Sequence, residues 1–261
     1  MKIAFCFSGM CRSIEETKDQ WLSIMDGYDV DVYGSFWDIN DKNESGNIEK
    51  FTEIYKPKQV DIENFKSFDE TTLNMFRENL KIPCDLNEYT QKYVYNLNVV
   101  SMFYKIWRVN MLANSQNYDI IVRCRTDLFP KDKVDFQIND MLNLPVGYTW
   151  ISHWKNSGGP SDLFAYGNKE IMNFYSSIFM YMTHYHRMGH YFFVNEQFVK
   201  LRLVEKNIKI RFLPIKMMIF DHWHNHFDPA FQDPSFKELI MTSTDYLPVD
   251  PDIEYSFYKN I

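Results

Sequence analysis

The segment YDIIVRCRTDLFPKD, residues 118–132, carries Arg123, Arg125 and Asp127, the residue types that a phosphate and a divalent cation require. An aspartate delivered at the carboxyl end of a strand stands on the edge where open α/β sheets bind ligands. Mg2+ and Mn2+ take oxygen ligands and bridge carboxylates to substrate phosphates, so Asp127 behind two guanidinium groups reads as a phosphate-plus-metal site on a surface edge. The competing reading is that Asp127 caps a turn while the arginines pair with surface acids. Arg12 follows Ser8 and Gly9, and a glycine turn before a helix start would offer backbone donors to the same anion. Lys105 lies on a helical stretch from which it would reach a phosphate or extend into solvent. Gly158 and Gly159 belong to a loop that could approach a sugar closely. Glu196 opens a helix, where the dipole alone would favour a carboxylate. In DHWHNH, His222 or His224 would lend an imidazole to a metal, or lie on a polar strand edge.

These side chains need strands ending at one edge. Lys2 to Phe7 is an apolar first strand, followed by a turn at Ser8, Gly9 and Met10. Ser13 with Glu16 matches a capping box for a helix from Ile14 to about Met25. Further strands are expected at Val30 to Phe36 and Lys58 to Ile62, then a helix from about Tyr93 to Asn114 feeding the strand of residues 118–132. Arg123 and Arg125 both fall inside that strand, so something acidic should meet them. Strands follow at Tyr148 to Trp154 and Asp162 to Tyr166. Asn168 caps an amphipathic helix with Met172, Tyr175, Phe179 and Met182 on its core stripe. A helix from Glu196 to about Lys206 leads to a last strand, Ile208 to Leu213.

The chain has 261 residues, 45% of them hydrophobic, enough to bury one core, and no linker-like stretch divides it. A net charge of -7 argues against a nucleic-acid binder, which needs a basic face. The cysteines show no CxxC pair or zinc spacing, which fits reduced thiols and a cytoplasmic location. No apolar run is long enough to span a membrane, and the N-terminus lacks the apolar core of a signal peptide. Neither a P-loop nor GxGxxG occurs.

In order along the chain, KIAFCFSGMCRS, YDIIVRCRTDLFP, GGPSDLFAYGN and VNEQF resemble the GT-A nucleotide-sugar-dependent glycosyltransferases, in particular small transferases of bacterial polysaccharide clusters and large DNA viruses. The resemblance implies a Rossmann-type mixed central α/β sheet flanked by helices, in a single two-lobed domain. Residues 1–132 would bind the nucleotide sugar and residues 133–261 the acceptor. It implies Asp127 at the metal-binding DxD position, with His222 or His224 as a histidine ligand and Mn2+ or Mg2+ as cofactor. Ser8, Gly9, Arg12, Lys105, Arg123, Arg125, Gly158 and Gly159 would hold a UDP- or GDP-sugar donor. Glu196 and Asp162 would be the catalytic carboxylates, Glu196 as base of an inverting transfer to a glycan acceptor, in the cytoplasm or, for a viral protein, the host cytoplasm. The sequence departs from the pattern in reading RTD for DxD and VNE for the usual ED ending. A nucleotidyltransferase and a non-catalytic carbohydrate-binding protein are the alternatives.

Overall fold

The structure, a computed structural model, describes residues 1–39, 47–68, 97–130, 148–152, 160–188, 195–213 and 217–219. The first strand, β1 (Lys2–Met10), alternates its side chains between two apolar layers. Ile3, Phe5 and Phe7 face helices α1 (Ile14–Met25) and α2 (Ile48–Tyr55), meeting Trp21 and Phe51 edge-on. Ala4 and Cys6 face α4 (Leu97–Ala113), where Phe103 and Ile106 are buried. Strands β2 (Asp29–Trp37) and β3 (Gln59–Glu63) add parallel neighbours on one side, and the one-turn α3 (Phe65–Phe68) follows.

On the other side of β1 lies β4 (Ile120–Cys124), also parallel and buried throughout. The sheet then takes β6 (Tyr148–Ser152), β7 (Ala165–Gly167) and β8 (Lys209–Leu213), giving seven strands in the order β3-β2-β1-β4-β7-β6-β8. Only β7 runs against its neighbours; β6 pairs parallel with β8. Strands from both halves of the chain therefore share one hydrogen-bonded sheet. Helices α5 (Lys169–Ser176), α6 (Ile178–Arg187) and α7 (Asn195–Glu205) cover the α4 face. A separate antiparallel pair joins β5 (Leu128–Pro130) to β9 (Met217–Ile219). Among the described residues no helix is long and apolar enough to cross a membrane.

Several local expectations change. The turn at Ser8, Gly9 and Met10 is strand, because β2 continues to Trp37 and its ladder takes the backbone of Gly9 and Met10. Gly9 holds a φ of 110°, which disfavours a side chain although a Cβ would meet nothing within 4 Å. The turn lies instead at Cys11 to Ser13. Ser13 starts α1 as expected but makes no capping box: its φ of 52° is left-handed, whereas a capping residue needs extended backbone. The strand through residues 118–132 stops at Cys124, so Arg125 stands outside it, and Leu128 N–H donates to Arg125 O (3.4 Å) across the break. The helix after Asn168 is two helices, because the Ser177 hydroxyl donates to Phe174 O at 2.7 Å and competes with the helical ladder. Met172, Tyr175 and Met182 remain core, as their stripe predicts.

Candidate functional site

At the carboxyl edge of β1 and β4, two loops are clasped together by hydroxyls. Thr126 Oγ1 accepts from Arg12 N–H (3.1 Å) and lies 3.3 Å from Met10 O. Thr17 Oγ1, one turn into α1, lies 2.6 Å from Thr126 O and 2.9 Å from Ser13 O. This clasp brings Arg12 to Asp127, 115 residues away in sequence. Arg12 Nε donates to Asp127 Oδ2 at 2.7 Å. Arg125 donates through Nε and Nη2 to both oxygens, at 2.8 and 2.7 Å, a bidentate fork. Asp127 is 1% exposed, and the two arginine side chains 20%. Burial alone would raise the Asp127 carboxyl; the charges and hydrogen bonds of Arg125 and Arg12 outweigh it and hold the group at about 2.

Asp127 is thus a buried carboxylate, not the surface-edge group expected, and both its oxygens accept from guanidinium groups. The arrangement does not fit a divalent cation, which would have to compete for those oxygens beside two positive charges. Among the described residues no group of three or more His, Cys, Asp or Glu side chains could hold a metal ion. His222 and His224 lie outside the described residues, as do Gly158 and Gly159.

Arg123 sits one strand-layer deeper, opposite Cys6 of β1 and Ala165 of β7. It is 2% exposed, and Nη1 donates to Cys124 O. Among the described residues Nε and Nη2 have no hydrogen-bond partner, so the acid expected to meet Arg123 does not pair with it as Asp127 pairs with Arg125. Asp162 is near enough for its charge to act on Arg123, and Tyr175 lies within the same reach. Asp162 is 3% exposed, Tyr175 is fully buried, and Asp162 Oδ2 and the Tyr175 hydroxyl are likewise unpartnered among the described residues. Burial pushes the Tyr175 phenol up, the Arg123 charge lowers it, and Asp162 and Glu196 raise it further. Four residues from β4, the approach to β7, α5 and the first turn of α7 thus gather on one face of the sheet.

Of the other predicted residues, Ser8 lies in β1, buried, its hydroxyl unpartnered among the described residues. Lys105 is fully buried, contrary to a solvated lysine, with Nζ 2.6 Å from Glu63 Oε2, 3.7 Å from Asp61 Oδ2 and 4.2 Å from the Trp37 ring centroid. It anchors α4 to β3, away from the arginine cluster. Sequence reading missed Thr126 and Thr17, whose partners are distant in sequence, and took Tyr175 for plain core, since a hydrophobic stripe does not reveal whether its phenol finds a partner.

No protein-family model and no curated protein matches this sequence. Among solved structures the chain is similar to mouse xyloside xylosyltransferase 1 in its apo form, at 10% identity, over 82% of this chain and 85% of that one, with a TM-score of 0.42. The mixed α/β sheet flanked by helices is consistent with a GT-A-type fold.

Proposed function

We propose that the chain is a glycosyltransferase that moves a sugar from a nucleoside diphosphate donor to a hydroxyl of a glycan acceptor. The observation that carries this reading is the arginine pair held by Asp127 at the carboxyl edge of β1 and β4, the edge at which such sheets bind ligands. Two guanidinium groups, each 20% exposed and oriented by a buried carboxylate, stand at that edge, and guanidinium is the side-chain group best suited to a diphosphate. In this reading Arg12 and Arg125 offset the charge that grows on the leaving group, a preorganised electrostatic role. Asp127 orients them and does not ligate the metal that the sequence resemblance implies.

Glu196 serves as the base. It takes the proton of the acceptor hydroxyl as that oxygen bonds to the anomeric carbon, while the bond from that carbon to the diphosphate oxygen breaks and the nucleoside diphosphate leaves. Its position in the first turn of α7, acting electrostatically on Tyr175 beside Asp162 and Arg123, supports a place near the transferred sugar. The nucleotidyltransferase alternative loses support from the first strand, which runs through Gly9 where a glycine-rich phosphate loop would be needed.

Calorimetry with UDP, GDP and their sugars, with Mn2+ and with EDTA, tests the reading, together with slow hydrolysis of whichever donor binds. Binding that survives EDTA, with release of free sugar, is the expected result. Failure of every nucleoside diphosphate to bind would defeat it.

A further inference from the structure

The Nε and Nη2 edge of an arginine presents two parallel donors, and Arg125 shows what it is suited to by gripping both oxygens of Asp127 with it. Arg123 presents the same edge, 2% exposed, and no acceptor among the described residues meets it. A buried guanidinium with two unmet donors is costly, and an unmet Asp162 oxygen and an unmet Tyr175 hydroxyl on the same sheet face add to that cost. The three groups come from separate elements, so no single local distortion accounts for all of them. Together they ask for a ligand that accepts two hydrogen bonds side by side and donates others.

Charge narrows the ligand further. Arg123 contributes one positive charge, and buried Asp162 contributes a negative one that acts on it. A carboxylate or phosphate would satisfy the Arg123 fork but would confront Asp162, 3% exposed, in a desolvated setting where repulsion is weakly screened. A hydroxyl has no such conflict, because it accepts from Arg123 and donates to Asp162 or Tyr175 at once. Adjacent hydroxyls on a sugar ring match the paired donors of the fork.

We propose that Arg123, Asp162 and Tyr175 form the subsite for the transferred sugar, and that this sugar is uncharged and carries vicinal hydroxyls. The proposal rests on the glycosyltransferase reading. It makes Asp162 a specificity residue, whose charge turns away uronic acids that Arg123 alone would welcome.

The experiment is calorimetric titration of the full chain with UDP, GDP, UDP-glucose, UDP-xylose, GDP-mannose and UDP-glucuronic acid. At least one uncharged donor should bind about tenfold or more tightly than UDP-glucuronic acid, the cost of confronting a buried like charge. Asp162→Asn, which keeps the shape of the side chain, should narrow that ratio or reverse it. Tyr175→Phe should weaken the uncharged donor and leave free UDP or GDP unchanged. Circular dichroism establishes that each variant is folded, and a destabilised Asp162→Asn leaves the wild-type donor ranking as the deciding measurement. UDP-glucuronic acid binding as tightly as the uncharged donors would overturn the proposal, as would an unmoved ratio in folded Asp162→Asn. Binding of free nucleotides with no discrimination among sugars would also overturn it while sparing the nucleotide site. If no nucleotide binds at all, the glycosyltransferase reading fails and this subsite falls with it.

Discussion

Both oxygens of buried Asp127 accept from guanidinium groups, so Asp127→Asn removes the carboxylate charge that Arg12 and Arg125 share. Breaking a fully buried ion pair from one side costs about 3–5 kcal/mol, and the partial exposure of the arginines brings the expected loss to roughly 2–3 kcal/mol by urea denaturation. A loss below about 0.5 kcal/mol, typical of a surface change, would mean that the cluster does not hold in solution. Arg12→Ala should weaken donor binding more than nucleoside binding, since its proposed partner is the diphosphate; equal losses would assign it to the base or to the fold. Glu196→Gln separates two roles. As general base it acts only when the acceptor loses its proton, so donor affinity should stay near wild type while turnover falls by about a hundredfold or more. As a mere first-turn carboxylate it would cost about 0.3–1 kcal/mol of stability and leave turnover normal. A product retaining the donor's anomeric configuration by NMR would contradict direct displacement.

At the scale of elements, local sequence pattern carried most of the chain. The apolar run KIAFCF, the capping asparagine at 168 and the apolar stripe of the helix expected from about Tyr93 to Asn114 depend on neighbours a few positions away, and each corresponds to an observed element, the helix being described over Leu97–Ala113. The capping claim is directly measurable. Asn168 Oδ1 accepts from Ile171 N–H at 2.9 Å, and Asn168→Ala should cost about 1 kcal/mol in urea denaturation. What local pattern could not supply was set by a partner strand or a neighbouring helix. The end of β1 was fixed by the length of β2, the end of β4 by a turn that hands the chain to β5, and the break at Ser177 by its own hydroxyl. Gly34 in β2 reads as a weak point in a strand, yet a methyl group there would stand 2.5 Å from Phe36 Cε2 and 3.1 Å from Phe51 Cε1. Gly34→Ala is therefore expected to destabilise by roughly 1–3 kcal/mol through overpacking between β2 and α2, despite the better strand propensity of alanine. A neutral result in thermal denaturation would show that the Phe36 ring gives way.

For the molecule as a whole, the place of the RTD segment just past the carboxyl end of a strand was legible from local pattern, because the apolar run stops and charged residues begin there. The pairing within it was not, since Arg12 reaches Asp127 only after β1 and β4 lie side by side and Thr126 clasps the two loops. Lys105 illustrates the same limit: nothing in its helix shows that Asp61 and Glu63 end a strand beneath it. These tertiary ion pairs give the fold a particular response to acid. Asp127 and Asp31 both sit at about 2, below their ordinary value of 3.8. Burial raises both. At Asp127 the two arginines reverse the effect, and at Asp31 the hydrogen bonds from Tyr118, Lys58 and Lys2 do so. A carboxyl that holds its proton less tightly in the folded state binds fewer protons there than in the unfolded chain. Its stabilisation is then fully present above about pH 4 and is lost as the pH falls towards 2. For buried Asp127 the shift corresponds to about 2 kcal/mol. The melting temperature of the wild type should fall steeply between pH 4 and 2, and that of Asp127→Asn less steeply. The gap between them should be widest near neutrality and close towards pH 2. Parallel curves would show that the arginine cluster does not set the acid limit of the fold.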